Sequence, residues 1–152
     1  MAFNNYFQAE QLIVDNVKDM FTDGRIYTGI DVNDLDNDDF TQSDTPEEQV
    51  GLLIKQAGFK VDPLHGKRSF KQQRLKFFWQ LAVVCPSDLY DTLGGAKHIE
   101  VMAKLMGLKL SPDFTEINWI DDERDFNEPE FMKDLAYIPM MFEIQAILTG
   151  AK

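Results

Sequence analysis

Read from the N-terminus, the first clear pattern is apolar residues at Ala9, Leu12, Ile13, Val17, Met20 and Phe21. That spacing puts a stripe along one side of a helix of period 3.6 and predicts an amphipathic helix ending near Gly24, where a left-handed cap is available. "RIYTGID" (25–31) follows as a short strand candidate. Residues 31–48 then carry eight acids and no bases, the composition of a solvated loop. "VGLLIKQAGFKV" (50–61) fits a strand, with Gly51 and Gly58 near its two ends. It is separated by Gly66 from "FKQQRLKFFWQLAVV" (70–84), where Leu75, Phe77, Trp79, Leu81 and Val83 alternate strictly onto one face. The opposite face of that strand reads Arg74, Lys76, Phe78, Gln80, Ala82, Val84 and changes from wet to dry along its length. One end of the strand should therefore lie outside the body of the fold and the other inside its core.

"PSDLYDTLGG" (86–95) reads as a turn-rich connection. From about Lys97 to Met106 the residues Ile99, Met102, Ala103 and Met106 form a second helical stripe, stopped by Gly107. "FTEINWI" (114–120) is an imperfectly alternating strand with Phe114, Ile117 and Trp119, and "DDERDFNEPE" (121–130) is a further acidic loop. Near the C-terminus Met140, Phe142, Ile144, Ala146 and Leu148 alternate along "DLAYIPMMFEIQAIL" (134–148). Pro139 has no N–H to give to a ladder and implies an edge or a bulge there. Helix, strands, helix, strands predicts an α+β fold: a mostly antiparallel sheet with a long hairpin, packed against two amphipathic helices in a single domain over 1–152.

Composition narrows what such a domain does. The chain has 152 residues, 44% of them hydrophobic, enough for a real core. Its net charge of -11 argues against general nucleic-acid or anionic-membrane binding, since phosphates reward clustered bases. The longest uncharged apolar window, Phe77 to Cys85, falls far short of the roughly 20 residues a membrane helix needs. The first residues, "MAFNNYFQAEQ", lack the basic n-region of a signal peptide, which predicts a protein kept in a reducing cytoplasm. A single cysteine allows no internal disulfide, and His65 and His98 have no second thiol to complete a zinc spacing.

Candidate chemistry is thin. Asp34, Asp36 and Asp38 occupy the first, third and fifth positions of a calcium-loop template. Asp39 and Thr45, however, stand where that template requires Gly and a bidentate Glu, so no calcium site is expected. Cys85 and His98 are the conceivable nucleophile and base, yet a Cys at the end of "LAVVC" reads more simply as a small buried hydrophobe. No phosphate loop, nucleophile elbow or dinucleotide fingerprint is present. The sequence therefore predicts no catalytic residue, no metal site and no cofactor.

The charge map says more. Between residues 60 and 76 Lys60, Lys67, Arg68, Lys71, Arg74 and Lys76 face only Asp62, a local charge of +5 within a chain of -11. One reading is a solvated hairpin whose charges protect a sheet edge. The other is a basic arm that docks on an acidic surface of a second copy or another partner. Lys67, Arg68, Lys71 and Arg74 are then the basic side of the interface, and Asp121, Asp122 and Glu123, or the Asp34–Asp39 run, the acidic side. Opposite charges on different sides of one subunit suit a head-to-tail contact that can close into a ring.

The elements "AEQLIVDNVKDMF", "VGLLIKQAGFKV", "QRLKFFWQLAVV", "GGAKHIEVMAKLMG", the strand with Trp119 and "YIPMMFEIQAIL", in that order, resemble the tail terminator proteins of tailed bacteriophages and of related phage-derived tails. The resemblance spans most of the chain and is one of architecture, with no catalytic signature to transfer. It implies a hexameric ring that caps the tail tube, ends its polymerisation and offers the attachment surface for the head connector. The partners would be the protein itself, the tube protein and the head–tail connector protein. It would be assembled in the host bacterial cytoplasm and located in the virion tail. The basic arm near 60–76 would project toward a neighbour or the tube. The acidic loop 31–48 is longer than a minimal member of that family requires. Two alternatives remain: another head–tail connector or tail-completion subunit, or an acidic inhibitor or immunity-type protein that masks a basic partner.

Overall fold

The computed structural model describes residues 5, 7–22, 24–29, 34–36, 40, 45–62, 72–120 and 128–149. Two helices, α1 (Gln8–Val17) and α2 (Gly95–Leu105), lie on a six-stranded sheet made of β1 (Ile26–Thr28), β2 (Gly51–Asp62), β3 (Gln72–Pro86), β4 (Asn118–Ile120), β5 (Glu130–Met132) and β6 (Leu135–Thr149). The strand order is β1-β2-β3-β6-β4, with β5 also paired to β6. Every pairing is antiparallel except β1 with β2, so the fold is the α+β class the hydrophobic pattern predicts.

Strand β3 is the axis. Leu75, Phe77, Trp79, Leu81 and Val83 are all buried on one face, where Ala9, Ile13 and Val17 of α1 and Val101 and Leu105 of α2 pack against them. The expected alternation of β6 holds as well: Met140, Phe142, Ile144 and Ala146 are buried on that same face. The opposite face of β3 passes from half-buried Arg74, Lys76, Phe78 and Gln80 to buried Ala82 and Val84, the change in character read from the sequence.

Several expectations are corrected. The α-helix of α1 stops at Val17 and tightens into a 3₁₀ turn, Lys18–Met20, short of Gly24. The buried face of α2 is Val101 and Leu105, whereas Ile99 and Met106 of the expected stripe are each 65% exposed and Ala103 is exposed too. Apolar residues surround this helix, so periodicity cannot choose its inner side. Three tertiary anchors do: Trp119 Nε1–H donates to the Met102 carbonyl (3.0 Å), His98 Nε2–H to the Pro139 carbonyl (3.1 Å), and the Lys97 ammonium to the Met20 carbonyl (2.8 Å). The segment 86–95 is a 3₁₀ turn, Ser87–Leu89, and a π turn, Tyr90–Gly94, running directly into α2. Strand β4 spans only Asn118–Ile120; Phe114 and Ile117 are buried without being part of it.

The acidic segment 31–48 is not simply a solvated loop. Its Leu35 and Phe40 are buried with Leu53, Ala82, Val84, Leu135 and Tyr137 in a second, smaller core on the far face of the sheet. The Arg25 guanidinium lies 5.2 Å from the Phe40 ring centroid and donates to the Glu48 carbonyl, tying this strap to β1. Gly51 permits the close approach: a Cβ there would stand 2.8 Å from Arg25 O and 3.1 Å from both Phe40 Cε1 and Tyr27 Cε2.

Pro139 sits in an interior strand, but at an interruption. β4 pairs with 141–143 of β6 and β5 with 135–137, which leaves Pro139 between them on the side away from β3. Gln145 exchanges bonds with Thr115 on this same outer side, so odd-numbered positions of β6 turn their polar groups outward. Pro139 thus lacks an N–H where no strand among the described residues would receive it, and His98 satisfies its carbonyl.

Two adjacent glycines at the start of α2 provide a test of packing against propensity. Both have helical φ, but a Cβ on Gly94 would meet Cys85 Sγ at 2.8 Å and Ile138 Cδ1 at 3.2 Å, while one on Gly95 would meet only Tyr90 O at 3.6 Å. Gly94→Ala should destabilise by about 1–3 kcal/mol through overpacking. Gly95→Ala should stabilise by about 0.4–1 kcal/mol through the unfolded chain. Urea unfolding of the two variants checks the difference in sign.

Candidate interaction surface

The long hairpin β2–β3 extends from the double-covered end of the sheet to a distal half in which Leu75 and Phe77 stay buried on the helix side while the other face is half-buried polar and basic surface. Its twelve-residue and fifteen-residue strands keep register from Gly51↔Val84 to Asp62↔Arg74, with one bulge between Gln56 and Gly58. The extra residue changes the alternation of β2, so that Phe59 and Val61 join the face of Phe77 and Leu75 and Lys60 joins that of Lys76. Phe59 and Val61 are nevertheless 51% and 52% exposed, because they flank the covered strip. On the other face Lys60 lies 5.8 Å from the Phe78 ring centroid, and Lys55, Lys76 and Arg74 are on that same face.

Of the basic residues singled out in the sequence, Arg74 is half-buried on β3 and its register partners are Asp62 and Ile147. Lys67, Arg68 and Lys71 lie outside the described residues, as do Asp121, Asp122 and Glu123 and, within the Asp34–Asp39 run, Asn37, Asp38 and Asp39. Arg74 also lines an open groove of about 830 Å³ at the outer side of distal β6, together with Lys109, Asp113, Glu116, Glu143 and exposed Ile147. Nothing in the sequence pattern announced this groove. It arises where the pairing with β4 ends and, among the described residues, Thr115 bonds to Gln145 of β6.

A second cavity, about 310 Å³, opens at the Pro139 interruption and is lined mainly by Met102, Trp119, Ile120, Ile138 and Met140 beside His98. A carbonyl can only accept, so the Nε2 that faces Pro139 carries a proton. Its lining offers an apolar hollow with one imidazole.

Cys85 behaves as the buried small hydrophobe anticipated. Burial, reinforced by the charge of Asp88, pushes its thiol up to about 11, which leaves it protonated and unreactive at neutral pH. Burial raises Tyr137 as well, with the Asp36 carboxylate as a further cause. Among the described residues no three His, Cys, Asp or Glu side chains gather in a way that could hold a metal ion. No helix among them is long and apolar enough to cross a membrane.

The thiol predicts an alkaline signature. From the ordinary value of 9.0 up to about 11, the unfolded chain has lost the Cys85 proton and the folded chain keeps it. Unfolding then releases a proton, so raising the pH favours it. Stability should fall by about 2 kcal/mol across that window. Cys85→Ala should lower stability at every pH but flatten this slope, leaving the smaller contribution of Tyr137. Denaturant midpoints measured from pH 8 to 11 check it.

Compared against protein-family models and against curated proteins, the chain finds no match in either.

Proposed function

We propose that this protein is an assembly subunit of a phage-type tail: a tail terminator that caps the tube as a ring, ends its polymerisation and presents a surface to the head connector. The observation that carries the reading is the β2–β3 hairpin. Its proximal half is locked into two cores, while its distal half carries Lys55, Lys60, Arg74 and Lys76 toward an arm with a local charge of +5 on a chain of -11. A rigid root with a charged distal half is what a subunit needs to hold a neighbour in fixed register. The order of elements that resembles the tail terminators supports the same reading. Under it the protein works through interfaces, with no cofactor, in the virion tail after assembly in the bacterial cytoplasm.

The first test is particle mass across protein concentration, alone and with tail tubes. A closed ring that binds tube ends supports the reading. A monomer that instead forms a 1:1 complex with a basic protein replaces it with the inhibitor reading, and a ring that binds connectors but not tubes replaces it with a connector subunit.

Charge reversal refines the test. Single exposed ion pairs contribute only about 0–1 kcal/mol, so Lys67→Glu alone should be nearly silent. Lys67→Glu with Arg68→Glu adds repulsion at every contact round the ring and should weaken association about tenfold per contact at low salt. The effect should fade at high salt as screening shortens. The thermal melt of the variant should stay close to that of the parent, since surface changes cost within about 0.5 kcal/mol. Sedimentation at two salt concentrations, with a melt of each sample, reads all three outcomes.

A further inference from the structure

We infer that the outward face of α2 binds the same face of a second copy, the two helices lying antiparallel about a two-fold axis near Ala103. The contact is separate from the ring reading above. A ring closes through head-to-tail contacts, whereas this one is isologous and pairs two subunits or two whole rings.

The face has the spacing of a helix seam, on the side of the helix turned away from its own core. Ala96, Ile99, Ala103 and Met106 recur at intervals of three and four residues and are all exposed, Ile99 and Met106 at 65% each. Val101 and Leu105 take the core instead. Bonds from distant parts of the chain fix the rotation of the helix: the Lys97 ammonium to the Met20 carbonyl, and Trp119 Nε1–H to the Met102 carbonyl. Turning Ile99 and Met106 inward would break both. Single exposed apolar residues are ordinary, but a row of them along about three turns of one helix is a contiguous patch.

The charges beside the stripe select a second copy as its occupant. Glu100 and Lys104 lie next to it on one flank, both exposed. A two-fold axis perpendicular to antiparallel helices keeps equivalent flanks on the same side. With Ile99 opposite Met106 of the second copy, Glu100 falls within about one residue of Lys104 of that copy, and the symmetry repeats the pair. A parallel pairing carries the two flanks apart and forms neither. Glu100 keeps its ion pair with Lys97 (3.2 Å), since a carboxylate accepts from more than one ammonium. Ala103 meets Ala103 at the axis, and its small side chain lets the backbones approach until Ile99 and Met106 interlock. One register thus joins apolar to apolar, small to small and acid to base. A seam of this length makes a weak, concentration-dependent contact.

Charge swapping and cross-linking test the pairing in the full chain. Sedimentation from micromolar to millimolar protein should show the parent doubling the mass of its starting unit, monomer or ring. Ile99→Asp should weaken that step about tenfold or more with an unchanged melt, because the residue is exposed. Lys104→Glu sets acid against acid and should weaken it severalfold at low salt. Glu100→Lys combined with Lys104→Glu should restore it, since the exchanged pair is again complementary. Ala103→Cys, with buried Cys85 left in place, should give on oxidation a dimer and nothing larger on a denaturing gel. A parent that never doubles, or a double variant no better than Lys104→Glu alone, overturns the inference and leaves the ring reading as it was. Ile99→Asp that abolishes binding of tail tubes while self-association is unchanged also overturns it, and gives the face to the tube.

Discussion

Everything else in this fold depends on burying the core face of β3. Trp79 stands at its centre with no exposed surface, in register with Gln56 on β2 and Phe142 on β6, and Trp119 meets Phe142 edge-on at 5.4 Å between centroids. Removing such an aromatic costs about 3–5 kcal/mol. The position is also expensive, because the Trp79 indole N–H and the Gln56 amide nitrogen have no hydrogen-bond partner among the described residues. An unsatisfied buried donor costs about 1–3 kcal/mol. Packing outweighs that cost only because both helices and both neighbouring strands converge on this strip.

Among the described residues, strand β3 is not covered on both faces along its whole length. The covering is divided accordingly. The helices take one face, Leu35 and Phe40 take the proximal end of the other, and the described distal positions there are half-buried polar and basic surface. Surface that the subunit cannot bury within itself is surface available to a neighbour, which is why the architecture and the proposed assembly role belong together.

The legible parts of the sequence were those where one local rule decides the outcome. Strict alternation from Leu75 to Val83 could only be a strand with one apolar face, and its drift from Arg74 to Val84 on the other face placed one end inside and one outside. The unreadable parts were those where two local solutions cost the same. In α2 the stripe through Ile99 and Met106 is as good a helix face as the one through Val101 and Leu105. Strand β5 went unseen because its two-residue turn uses Lys133 and Asp134 at positive φ, 53° and 62°, in place of the glycine that usually marks such a turn. Leu35 and Phe40 were hidden by the acids around them. The basic arm was visible as charge, but the groove that could receive it was not.

The sequence by itself determined the long elements, the class of the fold and the asymmetry of charge, because periodicity, turn residues and net charge act over a few neighbouring positions. Only the tertiary structure decided which side of α2 faces inward, how Pro139 is accommodated, and where the sheet stops being covered. Each of these turns on atoms brought together from distant segments: Gly94 against Cys85, His98 against the Pro139 carbonyl, Phe40 against the far face of β3. Such contacts have no signature in any short stretch of chain, since their energy exists only once both partners are in place.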